Sequence, residues 1–209
     1  MKQHPVLYHY WRSSSSWRVR WAMKLKKFEA EMVAVSLLDG ESESEAHMKR
    51  NPLGYVPVLV LPDHTLIESV AIVEWLEETL PTPSLFPGDP YQRAHIRALV
   101  EIVNAGIQPI QNLTVLERHS SDEKEKKEWS QHFIRRGLDA YEKLCSPTAG
   151  RFSVGDHITA ADLFLIPQCA NAKRFDIPLS EFPLLEKIFE AAMATPEAKA
   201  TAPDAYKPE

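Results

Sequence analysis

Apolar and polar positions change their period along this chain. Val6-Leu7-Tyr8-His9-Tyr10 is a β-rich run and reads as a strand. From about Ser15 to Phe28 the period becomes helical: Trp17, Trp21, Leu25 and Phe28 fall at i, i+4, i+8 and i+11, and Val19, Ala22 and Met23 broaden the apolar surface. Met32 to Leu38 predicts a second strand, and the acidic, polar residues 39–49 predict a loop or a frayed helix. Val58–Leu61 and Thr65–Ile67 predict a hairpin turning at Pro62-Asp63-His64. Ser69 to Leu80 predicts a helix with Val70, Val73, Trp75 and Leu76 on its apolar side. The order βαβ then ββα belongs to a small α/β domain with a mixed sheet.

Pro81-Thr82-Pro83-Ser84-Leu85-Phe86-Pro87-Gly88-Asp89-Pro90 interrupts both periods. Proline at this density continues neither a helix nor a central strand, so the segment reads as a linker. Beyond it every strong signal is helical. Arg93 to Leu116 carries Ile96, Leu99, Val103, Ile107 and Ile110 at helical spacing, and Pro109 with Gly106 should bend that helix. Ser120-Ser121-Asp122-Glu123 has the capping-box pattern and opens a charged helix to about Leu144. Further helices are predicted over Asp162 to about Phe175 and Leu184 to about Ala194; the Pro- and Ala-rich tail from Thr195 is expected to be loosely ordered. The expected division is residues 1–81, a linker at 82–90, and an all-helical part at 91–209.

Composition narrows the function classes. Hydrophobic residues are 44% and charged residues 25% of 209, ordinary globular usage with enough apolar material for a sizeable core. The net charge of −5 and the lack of a basic stripe argue against nucleic acid. Cys145 and Cys169 form no CxxC pair and cannot make a disulfide framework. No metal spacing appears among the eight histidines, and His119 and His132 read as solvated surface, so no metal is expected. The start of the chain has no signal-peptide pattern and no later run is of membrane-spanning length, so a cytoplasmic protein with no membrane partner is expected.

Three places carry candidate chemistry. Ser13-Ser14-Ser15-Ser16 stands between the first strand and the first helix. One serine can cap the helix; the others present hydroxyls and amides at the positive end of its dipole, where an anion is held and a thiol is driven toward thiolate. Read alone, the segment is also accounted for as a serine-rich loop with one cap. Val56-Pro57 precedes a strand: a cis peptide would offer the Val56 backbone to an extended peptide ligand, and a trans proline at a strand start is the plainer account. Glu68-Ser69 precedes a helix, with Ser69 as the N-cap candidate and a possible carboxylate holder.

Taken together, these features resemble the glutathione transferases, and within them the zeta class. The family's loop reads Ser-Ser-Cys-Ser-Trp-Arg-Val-Arg; here it is Ser13-Ser14-Ser15-Ser16-Trp17-Arg18-Val19-Arg20. The resemblance continues through Asn51-Pro52, Val56-Pro57 and Glu68 to Glu78, then Gly106-Ile107-Gln108-Pro109-Ile110-Gln111-Asn112-Leu113, Gly155-Asp156, Thr159, Ala161-Asp162 and Pro167 to Phe175. It covers nearly the whole chain. The fold it implies is an α+β, thioredoxin-like N-terminal domain that binds glutathione, followed by an all-α C-terminal domain.

The resemblance also implies roles. Ser13 would hydrogen-bond the glutathione sulfur, with Ser13, Ser14 and Ser15 as catalytic residues. Ser16, Trp17 and Arg18 join them in the glutathione site. Val56 would pair its backbone with the cysteinyl part, Pro57 being cis, and Glu68 and Ser69 would hold the γ-glutamyl end. Gln108, Asn112, Leu113 and Thr114 would complete the glutathione site; Gln108 and Asn112, four apart and lining the cleft, are expected on one helix face. Arg174 matches the arginine for substrate carboxylates, and otherwise reads as a cation at a helix C-terminus. Thr159 and Asp162 match a buried capping box and read as a folding element. The implied activity is glutathione-dependent cis–trans isomerisation of maleylacetoacetate to fumarylacetoacetate, in tyrosine and phenylalanine breakdown, by a homodimer. The alternatives are maleylpyruvate isomerisation, general glutathione conjugation, α-halo acid dehalogenation, and a non-catalytic interaction module. Three departures stand out: Ser15 where the family usually has Cys, Glu68 where the class usually has Gln, and the acidic segment Glu41–Glu45 where the family often has a Gln touching glutathione.

Overall fold

The computed structural model describes residues 4–208. Two compact units divide the chain: residues up to Ser84 together with those from Pro196 onward, and Leu85–Thr195.

The first unit is built on a four-stranded sheet of β1 (Val6–His9), β2 (Glu31–Ala34), β3 (Val58–Val60) and β4 (Thr65–Ile67), in spatial order β2-β1-β3-β4. β1 runs parallel to β2, with Val6 opposite Glu31, so a crossover must join them; α1 (Ser14–Lys26) makes it. β1 is antiparallel to β3, with Leu7 opposite Leu59, and β3–β4 is the expected hairpin. β2 is shorter than the Met32–Leu38 expected. Ser36 ends it: its amide donates to Glu41 Oε2 at 2.7 Å and its hydroxyl to Asp39, closing a turn where the strand would have continued. The polar stretch after it folds as a 3-10 turn at Glu41–Glu43 and the short α2 (Glu45–Met48), capped by Ser44.

α1 departs from the one-sided picture of its sequence. Every residue from Ser15 to Met23 is buried, Arg18 and Arg20 included. At its end Lys26 is enclosed and donates to Glu77 (2.5 Å) and to the carbonyls of Leu80 and Pro83 (both 2.6 Å). Those bonds fix the end of α3 (Ser69–Thr79) and the proline segment after it, where Thr82-Pro83 is cis. The tail, expected to be loosely ordered, forms α9 (Pro196–Thr201) and a 3-10 turn at Pro203–Tyr206; α9 packs on α1.

The second unit is helical. Asp89 and Gln92 form a capping box that starts α4 (Pro90–Asn104), with Pro90 where no amide donor is needed. The continuous helix expected to Leu116 does not exist. α4 stops at Asn104, a 3-10 turn covers Gln108–Gln111, and α5 (Leu113–His119) follows. Pro109 has no amide to continue the ladder, so the helix breaks here instead of bending. α6 (Glu123–Cys145) is capped by Asp122, whose carboxylate accepts from the amides of Lys124 (2.7 Å) and Glu125 (3.3 Å), so the cap is not Ser120. α7 (Ala160–Arg174) is buried without a break from Ala160 to Cys169 and forms the core of the unit, and α8 (Pro183–Met193) closes it.

Candidate active site

The start of α1 is made by its own serines. Ser13 is the N-cap, in extended backbone conformation, and its Oγ accepts from the Ser16 amide at 3.1 Å. That satisfies one orphan amide of the first turn. A hydroxyl that accepts still has its own proton to give, and Ser13's has no acceptor among the described residues. Ser16 serves the turn from the other side: it is fully buried and its Oγ accepts from the Tyr10 amide at 3.3 Å. Ser14 is half-buried at the first helical position, while Ser15 is buried. No acidic side chain occupies the first turn of α1, so nothing cancels the positive end of the helix there.

Ser16, Trp17 and Arg18 turn their side chains into the interior. Their part in a glutathione site is therefore to frame it. Arg18 shows how: its Nη1 donates to Ser69 Oγ at 3.2 Å, tying the start of α1's run to the start of α3. Ser69 is not the N-cap expected from sequence. It is the first helical residue, and Glu68 holds the cap position with no side-chain capping bond. Glu68 has φ 68 and ψ 119, a conformation that a residue with a side chain avoids, and its side chain is exposed. Strain of this kind gathers at ligand sites. Like α1, α3 has no acidic residue in its first turn.

Val56-Pro57 is cis, the form the family resemblance implies. Val56 lies just ahead of β3, and the carbonyl before it, Tyr55 O, accepts from both His47 Nε2 and Asn51 Nδ2 at 3.0 Å. α2 and the Asn51 turn thus hold the backbone that leads to Val56. Backbone groups at Val56, hydroxyls at Ser13 and Ser69 and the uncancelled start of α1 suit an elongated, anionic peptide carrying a thiol, which is a fair description of glutathione.

In the helical unit, Gln108 opens the 3-10 turn and Asn112 is the extended N-cap of α5. The two do not share a helix face, because the helix that would have aligned them ended at Asn104. Leu113 and Thr114 are exposed on α5, and Arg174 is exposed at the last residue of α7. Gln111, to which the sequence gives no role, is buried and exchanges amide hydrogen bonds with Gln168. Arg20, buried in α1, is a second structural centre of this kind. The available signal was the pair of arginines set among Trp17, Val19 and Trp21, where a charged residue demands partners.

Asp162 is fully buried and accepts from Ser153 N (2.8 Å), Thr159 N (2.9 Å) and Thr159 Oγ1 (3.2 Å). Burial pushes its carboxyl above the usual range, against the pull of those donors. Tyr141 Oη beside it donates to the Ala161 carbonyl at 3.0 Å. The carboxylate holds the start of α7 to the Ser153 loop, which is a folding role. Among the described residues no three His, Cys, Asp or Glu side chains gather as a metal site, and no helix is long and apolar enough to cross a membrane.

The family model "Glutathione S-transferase, N-terminal domain" matches residues 5–78, and "Glutathione S-transferase, C-terminal domain" matches residues 107–200. The chain is 47% identical over 201 residues to "Probable maleylacetoacetate isomerase 2" of Drosophila melanogaster, covering 95% of this chain and 88% of that one. Among solved structures it is similar to maleyl pyruvate isomerase, described as a bacterial glutathione-S-transferase in the zeta class, with TM-score 0.93 and 40% identity over 98% of this chain and 99% of that one. It is likewise similar to maleylacetoacetate isomerase of Anaeromyxobacter dehalogenans 2CP-1 with GSH bound in the active site, with TM-score 0.90 and 44% identity over 100% and 99% of the two chains. Both family models, and identity at this level over nearly the whole chain with TM-scores of 0.93 and 0.90, make the chain a member of the glutathione S-transferase family, in its zeta class.

Proposed function

We propose that this protein catalyses the glutathione-dependent cis–trans isomerisation of maleylacetoacetate to fumarylacetoacetate. The observation that carries the reading is the start of α1, where the capping Ser13 keeps a hydroxyl proton to donate beside an uncancelled helix terminus. Its membership of a class whose relatives bear the isomerase name supports the choice of reaction.

Bound glutathione would supply a nucleophilic thiolate for reversible conjugate addition to the cis double bond, the electron pair passing to the substrate carbonyl and returning when the thiolate leaves. The chain's residues make this possible in three ways. Ser13, with Ser14 and Ser15 in the same turn, favours the ionised sulfur by hydrogen bonding and by the helix dipole. Lowering a thiol from its usual pKa of about 8.5 by about two units needs about 2.7 kcal/mol, within the range of two or three such donors. Val56, Glu68 and Ser69 hold the peptide, and Ser16, Trp17 and Arg18 frame its site. In the helical unit Gln108, Asn112, Leu113 and Thr114 are assigned to the bound molecules, and Arg174 to the substrate carboxylates. The first unit is thus assigned to glutathione, and the helical unit to substrate with Gln108, Asn112, Leu113 and Thr114 also reaching glutathione. We assign the enzyme to tyrosine and phenylalanine breakdown in the cytoplasm, as a homodimer.

Maleylpyruvate is the second substrate to consider, because the TM-score of 0.93 is to a maleyl pyruvate isomerase. Against it, Ser13–Trp17 lacks the Ser-Gly-Thr-Ser-His pattern typical of that enzyme's loop.

The test is to mix purified protein with maleylacetone and follow the cis-enone absorbance with and without glutathione. Rapid isomerisation that needs glutathione and leaves its concentration unchanged supports the reading. Glutathione binding without isomerisation refutes it in favour of conjugation or dehalogenation, and no binding at all favours a non-catalytic module.

A further inference from the structure

Arg20 is 2% exposed and has no carboxylate within ion-pair distance among the described residues. Its guanidinium is satisfied by backbone instead. Nε donates to the Thr201 carbonyl at 3.1 Å, Nη1 to the Tyr10 carbonyl at 3.3 Å, and Nη2 to the Trp11 carbonyl at 3.2 Å. Nη1 also lies 3.2 Å from His9 Nδ1, and the guanidinium stands 4.6 Å from the centre of the Tyr206 ring. Two separate stretches of chain therefore meet on one side chain: the turn before α1 and the tail.

That turn carries Ser13. The Tyr10 carbonyl that accepts from Arg20 also accepts from the Ser13 amide at 3.1 Å, and the Tyr10 amide donates to Ser16 Oγ. The titratable groups facing Arg20 leave its charge uncancelled. His9, from β1, is pushed down to about 4 by burial and then by Arg20 itself, so it is neutral at neutral pH. Tyr206, from the tail, presents its ring face to the guanidinium and brings no carboxylate to it. Arg12 and Lys207 stand on the Trp11 ring, at 5.5 and 6.0 Å, and add charge of the same sign. Burial lowers Arg20 to about 10, opposed by Tyr206, which leaves it protonated. A buried cation whose hydrogen-bond partners are carbonyls and a neutral imidazole keeps its full charge available to a nearby anion.

We propose that Arg20 is a positioning residue for the thiol site: it holds the Tyr10–Ser13 turn in place and gives the site a positive charge that no carboxylate cancels, while Thr201 and Tyr206 of the tail keep water from that charge. The proposal rests on the glutathione reading above. It gives the tail a part in the chemistry through the Thr201 carbonyl and the Tyr206 ring.

The experiment titrates the ultraviolet thiolate absorbance of the glutathione complex against pH, for the parent protein, Arg20→Gln and Arg20→Lys. Arg20→Gln should raise the bound thiol's pKa by about one unit, with the ascending limb of the kcat/KM profile moving by the same amount. Arg20→Lys keeps a cation without the three-carbonyl fork and should recover part of the shift. S-methylglutathione, which has no thiol to ionise, should bind Arg20→Gln and the parent alike. A folded Arg20→Gln protein with an unchanged thiol pKa overturns the proposal. If that variant does not fold, Tyr206→Leu carries the test: by admitting water to Arg20 it should raise the thiol pKa by a smaller amount, and no shift again overturns it. The readout is ionisation of bound glutathione and not turnover. A parent protein that binds glutathione without isomerising maleylacetone would sink the isomerase reading and leave this test standing.

Discussion

Gln111 and Gln168 exchange their amide hydrogen bonds: Gln111 Nε2 donates to Gln168 Oε1 at 2.8 Å, and Gln168 Nε2 donates to Gln111 Oε1 at 3.3 Å. Both are buried. The pair locks the last residue of the Gln108–Gln111 turn to the middle of α7. Truncating one partner strands the other amide, so Gln168→Ala or Gln111→Ala should destabilise by about 1–3 kcal/mol. The double variant Gln111→Leu/Gln168→Leu should lose less than the sum of the two single leucine variants. Chemical denaturation of the four proteins measures this; strict additivity would show that the pair is not coupled.

At Ser13 two roles coincide, and they separate by measurement. Loss of the N-cap in Ser13→Ala should lower stability by about 1 kcal/mol. Loss of the sulfur donor should lower kcat by about 100-fold, the size seen when one donor to a developing charge is removed. Ser14→Ala should damage turnover with little change in melting temperature. Ser15→Ala should do far less to turnover than either. Equal losses at all three positions would remove Ser13 from its assigned role.

Asp162 gives a pH dependence with a definite sign. Its carboxyl is raised in the fold, chiefly by burial, so the native state binds the proton more tightly than the unfolded chain. Stability contributed by that proton is full below the ordinary carboxylate range and is lost as pH rises through the raised value. Asp162→Asn should be less stable throughout, because it loses an acceptor for Ser153 N or Thr159, but its stability should not fall over that window. Parallel curves of stability against pH for the two proteins would contradict the assignment.

Gly137 is the point on α6 where Ile107 packs. A Cβ there would overlap Cγ1 and Cδ1 of Ile107, which is fully buried and immediately precedes Gln108. Gly137→Ala gains up to about 1 kcal/mol of helix propensity and meets an overpacking penalty of about 1–3 kcal/mol. The net expectation is a lower melting temperature and a raised KM for substrate, from displacement of the Gln108 turn. A stabilised variant with parent kinetics would show that the turn yields freely.

The two thiols should be inert. Burial raises Cys145 to about 12 and Cys169 higher still, so neither offers thiolate at neutral pH. Ser15, where the family usually has cysteine, removes the remaining candidate. A thiol-alkylating reagent should therefore leave the native protein unlabelled and active, and should modify both residues after denaturation. Inactivation of the native protein would require a cysteine to be reachable.

The order of the four strands, the helical character of the second unit and the helix starts near Ser13 and Ser69 are legible along the chain. Each is written in local terms: a period of two or 3.6, a serine before a helix, a proline where a ladder cannot continue. Tertiary structure decided the rest. The 93–116 periodicity held one apolar face across a break that Pro109 made, so it could not show that Gln108 and Asn112 fall on different elements. Ser69 looked like a cap, yet its hydroxyl went to Arg18, 51 residues away. The tail reads as loose because it is Pro- and Ala-rich; it packs on α1 and is held there by Arg20, 181 residues from Thr201. A hydrogen bond between groups so far apart leaves no period in the chain, and a buried arginine shows its partners only when the fold has brought their carbonyls to it.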